Sequence, residues 1–101
     1  MIQVAAATHR ALGRLVRLET APLPPLLLTP QEAGILARAL DGVRQGRSSE
    51  TSIYLSPIAD DGEFQATAEQ DGMRLGASLF LDWEMIRDLA ARLSALAAKG
   101  E

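Results

Sequence analysis

His9 is the chain's one histidine, the only side chain that could act as an unperturbed base near neutral pH, and no cysteine accompanies it. Disulfides, thiolate metal sites and a cysteine nucleophile are therefore excluded. A metal centre needs converging His, Cys or carboxylate ligands, and one His without Cys does not supply the usual set. Asp60-Asp61-Gly62-Glu63 places three carboxylates within four residues, but without the alternating spacing and terminal Glu of a calcium loop. Asp and Gly are also what a tight hairpin requires, and a turn is the expectation there. Glycine-rich phosphate loops, a Walker-type lysine and a nucleophile elbow are all missing. Ser48, Ser49, Ser52, Ser56, Ser78 and Ser94 stand in no partner pattern. These residues predict a protein that is not an enzyme and holds no cofactor or metal.

Two patterns could instead form binding surfaces. Arg10, Arg14 and Arg17 stack on one side of a helix if residues 2–18 are helical. Residues 1–18 carry +3 and the remainder −6. Such a stripe would grip an acidic protein, or a phosphate backbone weakly and with strong salt dependence; otherwise it is a solvated helix face. The second pattern is the outward side of a predicted sheet, where Tyr54, Ile58 and Phe80 put apolar groups on a face nominally in water. Trp83, at the start of the last predicted helix, either packs over a sheet corner or anchors an interface. The predicted partner-binding set is Arg10, Arg14, Arg17, Tyr54, Ile58, Phe80 and Trp83.

The elements that must position these residues follow from periodicity. From Ile2 to Leu18, Val4, Ala5, Thr8, Ala11, Leu12, Leu15, Val16 and Leu18 share one broad face at 100° per residue, which predicts a basic amphipathic helix. A strand over 14–20 is the rival reading, weakened because Leu15-Val16-Arg17-Leu18 does not alternate cleanly. Pro22, Pro24 and Pro25 then make residues 20–28 an extended connector, with a short edge strand at its end. Thr29-Pro30-Gln31-Glu32 is a capping box with proline at the first helical position. The helix it opens carries Ala33, Leu36, Leu40 and Val43 and stops near Gln45 before Gly46.

Beyond residue 50 the period changes to two. Glu63 to Glu69 alternates strictly, and Asp61-Gly62 and Asp71-Gly72 read as hairpin turns. The prediction is a three-stranded antiparallel meander over 51–59, 63–70 and 73–81. With Asp71-Gly72 and Asp61-Gly62 as the turn residues, Ala68 faces Leu75, Ala66 faces Ala77 and Ala59 faces Phe64. The inner face then gathers Ile53, Leu55, Ala59, Phe64, Ala66, Ala68, Leu75, Ala77, Leu79 and Leu81, while Tyr54, Glu69 and Arg74 share one row of the outer face. Asp82 caps a last helix with Ile86, Leu89, Leu93 and Leu96 inward. The expected fold class is α+β: three helices and one three-stranded meander, ordered α–(extended or edge strand)–α–β–β–β–α, with helices two and three on one sheet face.

A chain of 101 residues, 48% hydrophobic and 23% charged, fits one globular domain. The absence of cysteine favours a reducing, cytoplasmic compartment. No apolar run reaches the ~18 residues of a membrane span. Seventeen Ala, sixteen Leu and nine Arg against one Lys and no Asn suggest a GC-rich bacterial or phage genome. The functional expectation is a small bacterial interaction module: an adaptor, chaperone or regulatory subunit that binds an unidentified protein, with a homodimer kept open. The alternatives are a phage or mobile-element inhibitor of a host machine, and a weak nucleic-acid-binding regulator using the arginine helix. Net charge of −3 disfavours nucleic acid as the partner.

Overall fold

Residues 2–99 are described by a computed structural model. They form β1 (Ile2–His9), β2 (Gly13–Thr20), β3 (Leu26–Leu28), α1 (Pro30–Arg44), β4 (Ser52–Leu55), β5 (Phe64–Glu69), β6 (Gly72–Leu75), β7 (Leu79–Asp82) and α2 (Trp83–Lys99). The strands make two antiparallel sheets, β1-β2-β3 and β4-β5-β6-β7. The fold is α+β, but with two helices and two sheets. The predicted three helices around a single three-stranded meander are overturned.

The largest correction lies in residues 2–18, which form a β-hairpin. The ladder runs unbroken from Ile2↔Thr20 to His9↔Gly13. Gly13 closes the turn with φ +78°, a conformation that costs a residue with a Cβ about 1–2 kcal/mol. His9 Nδ1 accepts the N–H groups of Ala11 and Leu12 at 3.0 and 3.1 Å. The imidazole therefore serves as a turn closure, with its neutral-form proton on Nε2. Val16 and Leu18 bury themselves opposite Leu28 and Leu26 of β3. Leu15 is buried as well, although adjacent strand residues point to opposite faces. That double burial is what broke the alternation and imitated a helix. Ala5, Ala6 and Ala7 favour helix intrinsically, and cross-strand pairing outweighs that preference.

α1 starts where its signals place it. Thr29 Oγ1 accepts the Glu32 N–H at 3.1 Å, and Glu32 Oε1 accepts the Thr29 N–H at 2.8 Å. Ala33, Leu36, Ala37 and Leu40 are buried, and Gly46 terminates the helix with φ +73°. At the last helix Asp82 Oδ1 accepts the Met85 N–H at 2.9 Å, and Ile86, Leu89, Ala90 and Leu93 point into the core.

In the second sheet the strand faces agree with the alternation, while the registers and turns do not. The β5–β6 turn is Gln70-Asp71, so Ala66 faces Leu75 and Ala68 faces Met73. This is a two-residue slip, which leaves every side chain on its face because the period is two. Gly72 lies inside β6, where a Cβ would come within 2.7 Å of Asp82 Cα and closer still to Leu81 O. Glycine is demanded there by close backbone approach, and its φ is not positive. The predicted strand 73–81 folds back on itself at Gly76 (φ +59°), producing β6 and β7 with Leu75 opposite Leu79. β4 ends at Leu55 because buried Pro57 lacks a ladder donor. Residues 56–63 are a connection, Asp61-Gly62 is no hairpin turn, and Ala59 and Ala77, expected inward on strands, lie in the turns between them.

Helices α1 and α2 pack on each other along their lengths, and both sheets lay their apolar sides against the pair. Leu18, Leu28, Leu36, Leu40, Met73, Leu75, Ile86, Leu89 and Leu93 are fully buried in one contiguous cluster. No helix is long and apolar enough to cross a membrane among the described residues.

Candidate interaction surface

The connection between β4 and β5 is pinned at several points by carboxylates. Glu32 uses Oε1 for the capping box and Oε2 to accept the Ile58 N–H at 3.0 Å. Asp60 accepts the Leu27 N–H of β3 through Oδ2 at 3.0 Å and its own loop's Gly62 N–H through Oδ1 at 2.8 Å. Tyr54 Oη donates to Glu63 Oε2 at 2.7 Å. Asp60 and Glu63 of the acidic cluster thus accept from backbone and phenol donors. Among the described residues no group of three or more His, Cys, Asp or Glu side chains converges as a metal site.

This mounting displays Ile58 with 75% of its surface exposed. Ile35, one turn beyond Glu32 on α1, is 52% exposed, and Tyr54 on edge strand β4 is 60% exposed. Arg38 and Ala39, on the same side of α1 as Ile35, line a groove of about 430 Å³ whose other wall is Ser52, Ile53 and Tyr54. A second groove, about 520 Å³, runs between Ile35, Arg38 and Gly34 on α1 and Ala97 and Ala98 on α2. The result is a ridge of Ile35 and Arg38 flanked by two grooves, with Tyr54 and Ile58 on the elements beside it. Glu63, as hydrogen-bond acceptor and negative charge, pushes the Tyr54 phenol above the ordinary tyrosine value.

Of the predicted set, Tyr54 and Ile58 belong to this surface. The arginines do not form a stripe: Arg10 is in the β1–β2 turn, and Arg14 and Arg17 point to opposite faces of β2. Arg17 pairs with Glu19 at 3.0 Å. Phe80 is half-buried on the outer side of the second sheet, with the Arg74 guanidinium 5.4 Å from its ring centroid. Arg74 also pairs with Glu69 at 2.8 Å, and that carboxylate raises its pKa. The expected row of Tyr54, Glu69 and Arg74 is replaced by Ser52, Thr67, Arg74 and Phe80. Trp83 packs against the core and donates Nε1–H to Gln70 O at 3.0 Å, tying α2 to the β5–β6 turn. Ile35 was missed by sequence reasoning. Its signal was an isoleucine beside the Ala33–Leu36–Leu40 stripe, within a helix whose apolar face was already full.

Compared with protein-family models, with curated proteins and with solved structures, the chain matches none.

Proposed function

We propose that the chain is a non-enzymatic protein-interaction module whose contact surface is Ile35 and Arg38 of α1 together with Tyr54 and Ile58. The observation that carries this reading is Ile58, 75% exposed on a connection held by Glu32 and Asp60. Burying an isoleucine is worth about 1.5–3 kcal/mol, so an isoleucine fixed in water is an unused binding contribution. Tryptophan, tyrosine and arginine are the side chains most enriched at interface hot spots, and Tyr54 and Arg38 line one groove of this surface. Grooves on each side of the ridge offer shape for a partner to fill. The nucleic-acid alternative is not carried forward, because it rested on stacking of Arg10, Arg14 and Arg17 along a helix.

The test is a photoreactive amino acid placed at position 58 in the native cell, with position 87 on the exposed side of α2 as control. A discrete adduct from position 58, lost when Ile35→Glu is added, is the predicted result. Identical adducts from both positions, or none from position 58, would remove the proposal.

A further inference from the structure

Sheet edges leave backbone N–H and C=O groups unpaired, and folded chains blunt them with short strands, prolines, charges or covering segments. Three of the four edges here are treated in that way. β3 is three residues long, lies between Pro25 and Pro30, and gives its Leu27 N–H to Asp60. β4 is four residues long and runs beside α1. β7 is four residues long, ends on Asp82 and passes directly into α2. β1 is different. It has eight residues, no charged side chain, no proline and no bulge in its ladder with β2. Gln3, Ala5, Ala6 and Thr8 are exposed along it. α2 packs on the start of this strand, where Arg92 donates to Ile2 O at 3.3 Å, and among the described residues no strand pairs with its free edge.

We propose that β1 pairs antiparallel with β1 of a second copy, joining two three-stranded sheets into one six-stranded sheet across a two-fold axis. This rests on a different edge from the surface proposed above and stands independently of it. Three features select a second copy. A two-fold axis makes the same segment complementary to itself, so one uncharged strand supplies both halves. In the register that sets Ala5 opposite Ala5, Val4 faces Ala6 and Ile2 faces Thr8, and every inward side chain meets an inward one. The small Ala5-Ala6-Ala7 segment at the axis then puts neither bulk nor like charge across the seam. Charge also chooses the direction. A parallel pairing would set the two Arg10 turns side by side, whereas the antiparallel one separates them along the strands by about 33 Å. Each Arg10 then arrives near the start of the other copy's β1, where Asp88 lines the same groove as Ile2.

The chain has no cysteine, so a single introduced thiol can bridge only between copies. Ala5→Cys is expected to give a disulfide-linked dimer on mild oxidation, while Gln31→Cys on the exposed side of α1 stays unlinked. Light scattering of the unmodified chain should show mass rising with concentration toward twice 10.8 kDa. Adjacent strand residues direct their N–H groups to opposite edges. Of Ala5→Pro and Ala6→Pro, one therefore removes only a free-edge donor, and that variant should keep its circular dichroism and remain at 10.8 kDa. Should both prolines unfold the chain, Ala5→Lys, which sets like charges opposite each other at the axis, must give the monomer. A mass of 10.8 kDa at every concentration, as a foreign strand partner would leave it, overturns the proposal. So does a dimer that bridges through position 31 as readily as through position 5.

Discussion

Replacing Gly13 by alanine distinguishes a hairpin from a helix over the first twenty residues by the sign of the stability change. In a helix the substitution would stabilise by up to ~1 kcal/mol. In the structure Gly13 holds φ +78°, and a Cβ built there meets nothing within 4 Å. Packing therefore contributes nothing, and the effect is conformational alone. Forcing a residue with a Cβ into the left-handed region costs about 1–2 kcal/mol. Loss of glycine's freedom in the unfolded chain returns about 0.4–1 kcal/mol of that. The net expectation is a destabilisation of about 0.5–1.5 kcal/mol, which for a chain of this size lowers the melting temperature by roughly 3–8 °C. Urea unfolding followed by circular dichroism measures it directly. Gly13→Asn, which tolerates the left-handed region, should lose less. Gly46 at the end of α1 has φ +73° and equally open surroundings, so Gly46→Ala is a control of the same sign. A Gly13→Ala chain more stable than the parent would refute the hairpin.

Three further outcomes follow from named contacts. Gly72→Ala drives a Cβ into the β7 backbone at Leu81 and Asp82, and should cost about 3 kcal/mol, with Gly72→Asn no better; rescue by asparagine in urea unfolding would instead mean a turn glycine. Asp60→Asn replaces one of two accepting oxygens with a donor, leaving the Leu27 or the Gly62 N–H without its partner at an expected ~1–2 kcal/mol, measurable in the same assay. Tyr54 is the only tyrosine, so tyrosinate absorbance reports it alone. Its raised folded-state pKa means that the Glu63 contact contributes below the unfolded tyrosine pKa and is lost as pH rises through the folded value. The titration midpoint should fall toward the ordinary value in Glu63→Gln, and an unchanged midpoint would remove the Tyr54–Glu63 bond from the account.

What could be read from the sequence was set by how local the determining interactions are. The capping box of Thr29 and Glu32 and the stop at Gly46 are closed by residues within one helical turn, and α1 agrees with its signals at both ends. The alternation of Phe64, Ala66 and Ala68 is equally local, so the inward face of β5 was legible. The hairpin over residues 2–20 was not. Its turn has no Asn-Gly or Asp-Gly pair, its first strand is alanine-rich, and its second buries Leu15 and Val16 in succession. Its stability depends on β3, a tripeptide reached only after the proline connector. Asp60 likewise looked like turn chemistry because its acceptor role toward Leu27 spans 33 residues. At the candidate surface, Tyr54 and Ile58 were visible as apolar residues in a polar context. The connection's attachment to the Ile35 helix was hidden, because the Glu32–Ile58 bond that ties it to α1 spans 26 residues.

Ile35 and Ile58 are proposed to bind another protein. The most direct measurement is the affinity, by titration calorimetry, of the partner recovered through position 58 for the unmodified chain and for Ile35→Glu/Ile58→Glu. Truncating hot-spot side chains costs about 2 kcal/mol or more each. Binding at least a hundredfold weaker, with the melting temperature unchanged, is the expected result. Equal affinities for the two chains would contradict it.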